Sequence, residues 1–190
     1  MENYYEQLLQ RSNAVVHLIN DRLLKLDPAM ISWKEHTKTW SIIEVVDHLN
    51  KVYDIYLDNF EKAIHAAPQL DRQTHRLQHT LLGRLSIYSM KPKGQKRRFK
   101  MKTFNFFEPG QHLISNQTFD TFLANKEKFN QLMRTARLRN LENVKIPTAL
   151  GEKMKFYVPE CFDFLMSHEE RHVVQIHGIL EKADARISVD

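Results

Sequence analysis

The residues with the most chemistry to offer are three histidines. His168 and His172 lie four positions apart near the end of the chain, and His48 lies far upstream. A helix turns about 100° per residue, so side chains four apart stack on one face, and both imidazoles can reach one ion. Leu165, Ile176 and Ile179 share that face, which directs the pair toward a protein interior. A second pair, His75 and His79, has the same spacing among Arg72, Gln73, Arg76 and Gln78 and reads as a solvated face. His48 falls close in direction to Val45 and Val52 and so joins a buried stripe. Three neutral imidazoles converging in a core can hold zinc, nickel, iron or manganese while leaving a position for water or substrate. The competing possibility is that they are core residues satisfied by hydrogen bonds, and Glu44, Asp47 and Gln175 are available as partners under either reading.

The string His168-Glu169-Glu170-Arg171-His172 also matches the H-E-x-x-H pattern of zinc peptidases, in which the glutamate is a general base. The continuation argues against that chemistry. Gln175 stands where the extended motif has glycine and Gly178 where it has a third histidine, and only 18 residues follow His172. The single cysteine, Cys161, excludes an internal disulfide or a multi-thiolate zinc site and is expected to fill space on the last helix.

Four helices are expected to position these groups. The first spans Glu2 to about Leu26. The second begins at a capping box, Ser41-Ile42-Ile43-Glu44, and runs to about Ala66 ahead of Pro68. A weaker pattern from Asp71 to Met90 gives an accessory helix. The third core helix, capped by Ser115 or Asn116, ends near Arg139; residues 140–158 read as irregular. Pro159 opens the fourth, which ends near Ala183. The expected fold is therefore all-α, one four-helix-bundle domain over residues 1–190.

At 190 residues, with 42% hydrophobic and 27% charged residues, the chain has the composition of one soluble domain. It shows no apolar run of membrane-spanning length and no secretory leader, so a cytoplasmic location without membrane association is expected. The net charge of +5 is local. Seven basic residues and no acid lie between Lys91 and Lys102, leaving the rest of the chain at −2. This segment is expected to be a basic loop between the second and third core helices, returned to the core by Phe99, Phe104, Phe106 and Phe107. Contact with nucleic acid is disfavoured because no aromatic-rich binding motif accompanies it. Tyr53, Tyr56, Phe122 and Phe129 look too many for one monomer core and suggest a homodimer.

Trp40-Ser41-Ile42-Ile43-Glu44 running into Asp47-His48-Leu49, with the terminal His168-Glu-Glu-Arg-His172-Val-Val-Gln175-Ile176, resembles the DinB-like superfamily of small metal-binding four-helix bundles. The resemblance places a divalent metal on His48, His168 and His172. It also implies an enzyme related to thiol S-transferases working with bacillithiol or mycothiol, or to metal-dependent hydrolases. The nucleophile would be a metal-bound thiolate or hydroxide and the substrate a small molecule, with a low-molecular-weight thiol as co-substrate in the transferases. The basic stretch, folded over the mouth of such a site, would attract carboxylates. The alternative function is a non-catalytic stress-response or binding module whose basic loop docks nucleic acid or protein. The chain departs from many members in its insertion from about Asp71 to Gln111 and in Arg171, where a further histidine is frequent.

Overall fold

A computed structural model describes residues 2–70, 78–99, 102–149 and 151–187. The first apolar-striped segment forms α1 (Glu2–Asp21), shorter than the periodicity predicts. Arg22 leaves helical geometry at φ −123°, and the turn that follows tucks Leu23 fully into the core. Asp27 then caps a short α2 (Pro28–Ser32) by accepting the Ala29 N–H at 2.7 Å, with Pro28 in the first turn.

The capping box does start the next helix, α3 (Ile42–Ala66). Glu44 reaches back to the Ser41 N–H at 2.8 Å, and its other oxygen pairs with Lys34 at 2.6 Å. The accessory helix is α4 (Leu81–Met90); residues 71–77 of its expected span, including His75, lie outside the described residues. The third core helix, α5 (Ser115–Ala136), takes Ile114 as its cap, so neither Ser115 nor Asn116 caps it. The last, α6 (Val158–Ile187), opens with Pro159 in its first turn and outruns its expected end at Ala183.

The four long helices form a ring. Each of α1 and α3 packs against both α5 and α6, and α4 lies on the outside of α6. Aromatic rings fill the centre: Phe60 and Phe162 stack at 4.1 Å between centroids and 6° between planes, and Phe129 lies 5.4 Å from Phe162. Arg11 of α1 clasps α6 through Asp163 at 2.7 Å and Glu170 at 2.6 Å. Tyr53, Tyr56, Phe122 and Phe129 are all buried within this core. The surplus of surface aromatics from which a homodimer was expected therefore does not exist at these positions.

The chain is not wholly helical. Within the stretch read as irregular, β1 (Lys145–Thr148) and β2 (Gly151–Tyr157) pair as an antiparallel hairpin. Ile146 pairs with Phe156, and both side chains are buried, so the hairpin is held by the core against α3 and α6. Gly151 takes φ +117°, a conformation open to glycine. The fold is a mostly helical bundle with this small sheet. Among the described residues no helix is long and apolar enough to cross a membrane.

One glycine fixes the accessory helix. The buried Gly83 of α4 sits against Glu160, whose carboxylate accepts the N–H groups of Thr80 and, at 2.9 Å, Tyr157. A Cβ at position 83 would overlap that carboxylate and lie 2.9 Å from the Thr80 hydroxyl. Gly83→Ala is therefore expected to destabilise the fold by about 1–3 kcal/mol in urea denaturation, despite alanine's better helix propensity.

Candidate metal centre

The helices bring the three predicted histidines together. His48 comes from α3, and His168 and His172 from successive turns of α6; all three are buried. Nε2 of His168 lies 3.3 Å from Nε2 of His48 and 3.2 Å from Nε2 of His172. One ring nitrogen from each residue falls within 4.8 Å of the others. Metal–nitrogen bonds of about 2.0–2.1 Å in tetrahedral geometry put ligand nitrogens about 3.3–3.4 Å apart, so the observed spacings fit one first-row divalent ion.

The hydrogen bonds behind the rings favour the same use. His48 Nδ1 is 2.9 Å from the Phe107 carbonyl, which can only accept, so Nδ1 carries the proton and Nε2 keeps a lone pair. His172 Nδ1 is 3.1 Å from Gln175 Oε1, an oxygen that also accepts from Arg97 Nη1 at 3.3 Å. Two lone pairs thus face His168 Nε2, which has at most one hydrogen to share between them. A cation at the centre satisfies all three nitrogens.

Burial pushes the His48 pKa below its ordinary value despite the hydrogen bond to Phe107. His168 and His172 are pushed well below theirs, first by burial and then by the other imidazoles and Arg171. The rings are therefore neutral at pH 7 and ready to ligate.

Supporting contacts lock this geometry. Asp47 accepts the Gly110 N–H at 2.8 Å and so fastens the loop that presents the Phe107 carbonyl to His48. The Trp40 ring stacks near His172 at 6.3 Å and 16° and lies 5.0 Å from His48. Of the three polar partners expected, Gln175 bonds a candidate ligand directly, Asp47 acts through the loop, and Glu44 serves the start of α3.

Glu169 is not placed as a peptidase base. Its carboxylate is buried against Lys126 at 2.7 Å and accepts the Tyr53 hydroxyl. Cys161 is also buried, its thiol pKa pushed up by desolvation, and it packs rather than reacts. His79 is not part of the cluster.

A cleft of about 470 Å³ opens beside the histidines. Trp40, Phe104, Phe107 and Phe164 give it apolar walls, and Ala149 of the hairpin turn and Ser86 and Ser89 of α4 border it. Two residues of the basic segment, Arg97 and Lys102, line this cleft. Arg98 instead lies over the Tyr88 ring at 4.1 Å. The aromatic anchor is narrower than expected: Phe107 is buried, whereas Phe99, Phe104 and Phe106 are exposed.

Two features went unread in the sequence. Lys126 interrupts the apolar row Phe119, Phe122, Phe129 and Met133, and a lone lysine in such a row signals a buried partner. Arg171, noted only as a departure from relatives, follows His168 by three and so shares its side of the helix.

Neither the curated proteins nor the solved structures compared with the chain yield a match. The DinB superfamily model matches residues 7–176, a span holding α3, the hairpin, the cleft and all three histidines. With four long helices in a ring and a buried three-histidine cluster, this chain belongs to the DinB superfamily of metal-binding helical bundles.

Proposed function

We propose that the protein is a metal-dependent enzyme of the thiol S-transferase or hydrolase type, acting on a small molecule in this cleft. His48, His168 and His172 would hold the divalent ion, with zinc or nickel favoured by an all-imidazole donor set and iron or manganese next. The observation that carries this reading is the convergence of three neutral Nε2 atoms at the wall of a cleft of about 470 Å³. When bound, the ion supplies Lewis acidity that lowers the pKa of a thiol or water in its remaining position.

The residues of the chain account for the rest. The Phe107 carbonyl and Gln175 Oε1 hold the Nδ1 protons and keep the ligating lone pairs aimed inward. Trp40 restricts two of the rings, and the apolar walls limit water at the reacting end. Three protein ligands leave room for a fourth from substrate, whereas a structural site closes its tetrahedron with protein groups.

The test is optical. The protein loaded with cobalt(II) and titrated with a small thiol is expected to develop sulfur-to-metal charge-transfer absorption that saturates at one equivalent. A cobalt spectrum unaffected by thiol, together with no hydrolysis of simple ester or amide substrates, would overturn the enzymatic reading.

A further inference from the structure

The cleft carries a charge imbalance that the three histidines do not explain. Lys38, Arg97, Lys102 and Arg171 line it, and Glu108 is the one acid among its described lining residues. The histidines are neutral, so the cavity is cationic before any metal binds. Three of the four cations can reach water, but Arg171 is 5% exposed. Its Nη2 donates to the Phe99 carbonyl, while its Nη1 has no hydrogen-bond partner among the described residues.

A buried guanidinium with a free donor and no carboxylate beside it among the described residues is costly, because desolvation is not offset by pairing. Arg97 lines the same cleft and adds a second positive charge, which makes this worse. Arg97 is itself held in place by Gln175, the residue that orients His172. Two guanidiniums are thus set beside the histidine cluster with hydrogen-bonding capacity left over. A guanidinium fork matches the flat oxygens of a carboxylate or phosphate.

We propose that Arg171 and Arg97 form an anion subsite, and that the molecule bound in the cleft carries a carboxylate or phosphate on an apolar body. Arg171 Nη1 donates to one anionic oxygen and Arg97 closes over the group from the exposed side. The aromatic walls cover the body. The inference deepens the enzymatic reading and rests on it only in placing the reacting end at the histidines.

The experiment uses the full-length, tag-free protein, metal-free and zinc-loaded, with benzoate, phenyl phosphate and the neutral benzamide as probes. Thermal shift and calorimetry are read at two salt concentrations. Benzoate or phenyl phosphate is expected to bind in both preparations, weakening with salt, while benzamide binds at least about 10-fold more weakly. The stronger of the two acids identifies the anion. Arg97→Ala, an exposed change, and Arg171→Met are each expected to lower acid affinity about 10- to 100-fold and leave benzamide unchanged. Arg171→Lys restores the charge but not the fork and recovers only part.

Equal binding of acid and amide by the native protein would overturn the subsite. So would undiminished acid binding in Arg97→Ala, which decides the matter even if Arg171→Met does not fold. Metal content is measured in parallel. Acid binding retained without zinc uptake overturns the metal reading alone.

Discussion

Lys126→Met is expected to lower the unfolding free energy by about 3–5 kcal/mol at neutral pH. Lys126 and Glu169 have side chains that are 1% and 2% exposed and lie 2.7 Å apart. Besides Glu169, Lys126 touches the Tyr53 hydroxyl at 3.3 Å and the Met166 sulfur at 3.9 Å. Burial pushes the ammonium pKa down while Glu169 opposes that shift, and burial beside Glu169 raises the Tyr53 pKa. Removing the lysine leaves a carboxylate in the core with a phenol as its remaining partner. That uncompensated charge, more than a lost attraction, sets the cost.

Glu169→Gln is expected to be comparably damaging, because it strands the ammonium. The double variant Lys126→Met/Glu169→Leu should recover most of the loss, since two apolar groups of similar size leave no buried charge. Urea denaturation of the three variants measures this directly. Single variants within about 0.5 kcal/mol of the native protein would show that the pair is solvated in solution. Glu169 neighbours His168, but its carboxylate is engaged by Lys126 and Tyr53 and is not part of the histidine cluster, so folded variants should still bind metal.

The second large effect is metal removal. A ligand that binds the folded chain alone stabilises it by about 4 kcal/mol when its free concentration is about 1,000 times the dissociation constant. Stripping the protein with a chelator should therefore lower the urea midpoint, and zinc or nickel should restore it.

The pH dependence has a defined sign. Burial depresses the pKa values of all three histidines in the folded state, so between about pH 6.5 and those lower values the unfolded chain binds more protons than the folded one. The metal-free protein should keep its full stability above about pH 6.5 and lose it as pH falls. The increment due to metal should persist below pH 6.5, because protons do not compete for the folded site until its depressed pKa values are reached. Denaturation with and without zinc at pH 7.5 and 5.5 checks both parts. A metal-free profile flat across this interval, or no metal increment at pH 7.5, would contradict them.

The parts of this structure written in helical periodicity were legible. His168 and His172 announce themselves by spacing on an apolar face, and His48 by its place between Val45 and Val52. The capping box at Ser41 set the start of α3 because its hydrogen bonds are local. The hairpin was not legible, for β1 is four residues long with Pro147 inside it, and its stability comes from Ile146 and Phe156 meeting a core assembled by distant helices. The same dependence on distant partners hid the break at Asp21, where burial of Leu23 outweighs helix continuation.

Aromatic content misled in both directions. Tyr53 and Tyr56 fit inside because a ring of four helices encloses their shared face, whereas Phe99, Phe104 and Phe106 stay exposed beside the basic segment. The role of that segment could not be read from charge alone. Arg97 faces the cleft and Arg98 turns onto Tyr88, a distinction that depends on the turn at Gly94, with φ +59°, and on the position of α4.

The central claim is that His48, His168 and His172 together hold one divalent ion. Elemental analysis of gently purified, tag-free protein, beside a variant with all three histidines changed to alanine, tests it most directly. The account predicts one equivalent of a single divalent metal in the native protein, or after adding zinc or nickel, and none in the folded triple variant. A native protein that takes up no metal, or a variant that retains the full equivalent, would contradict it.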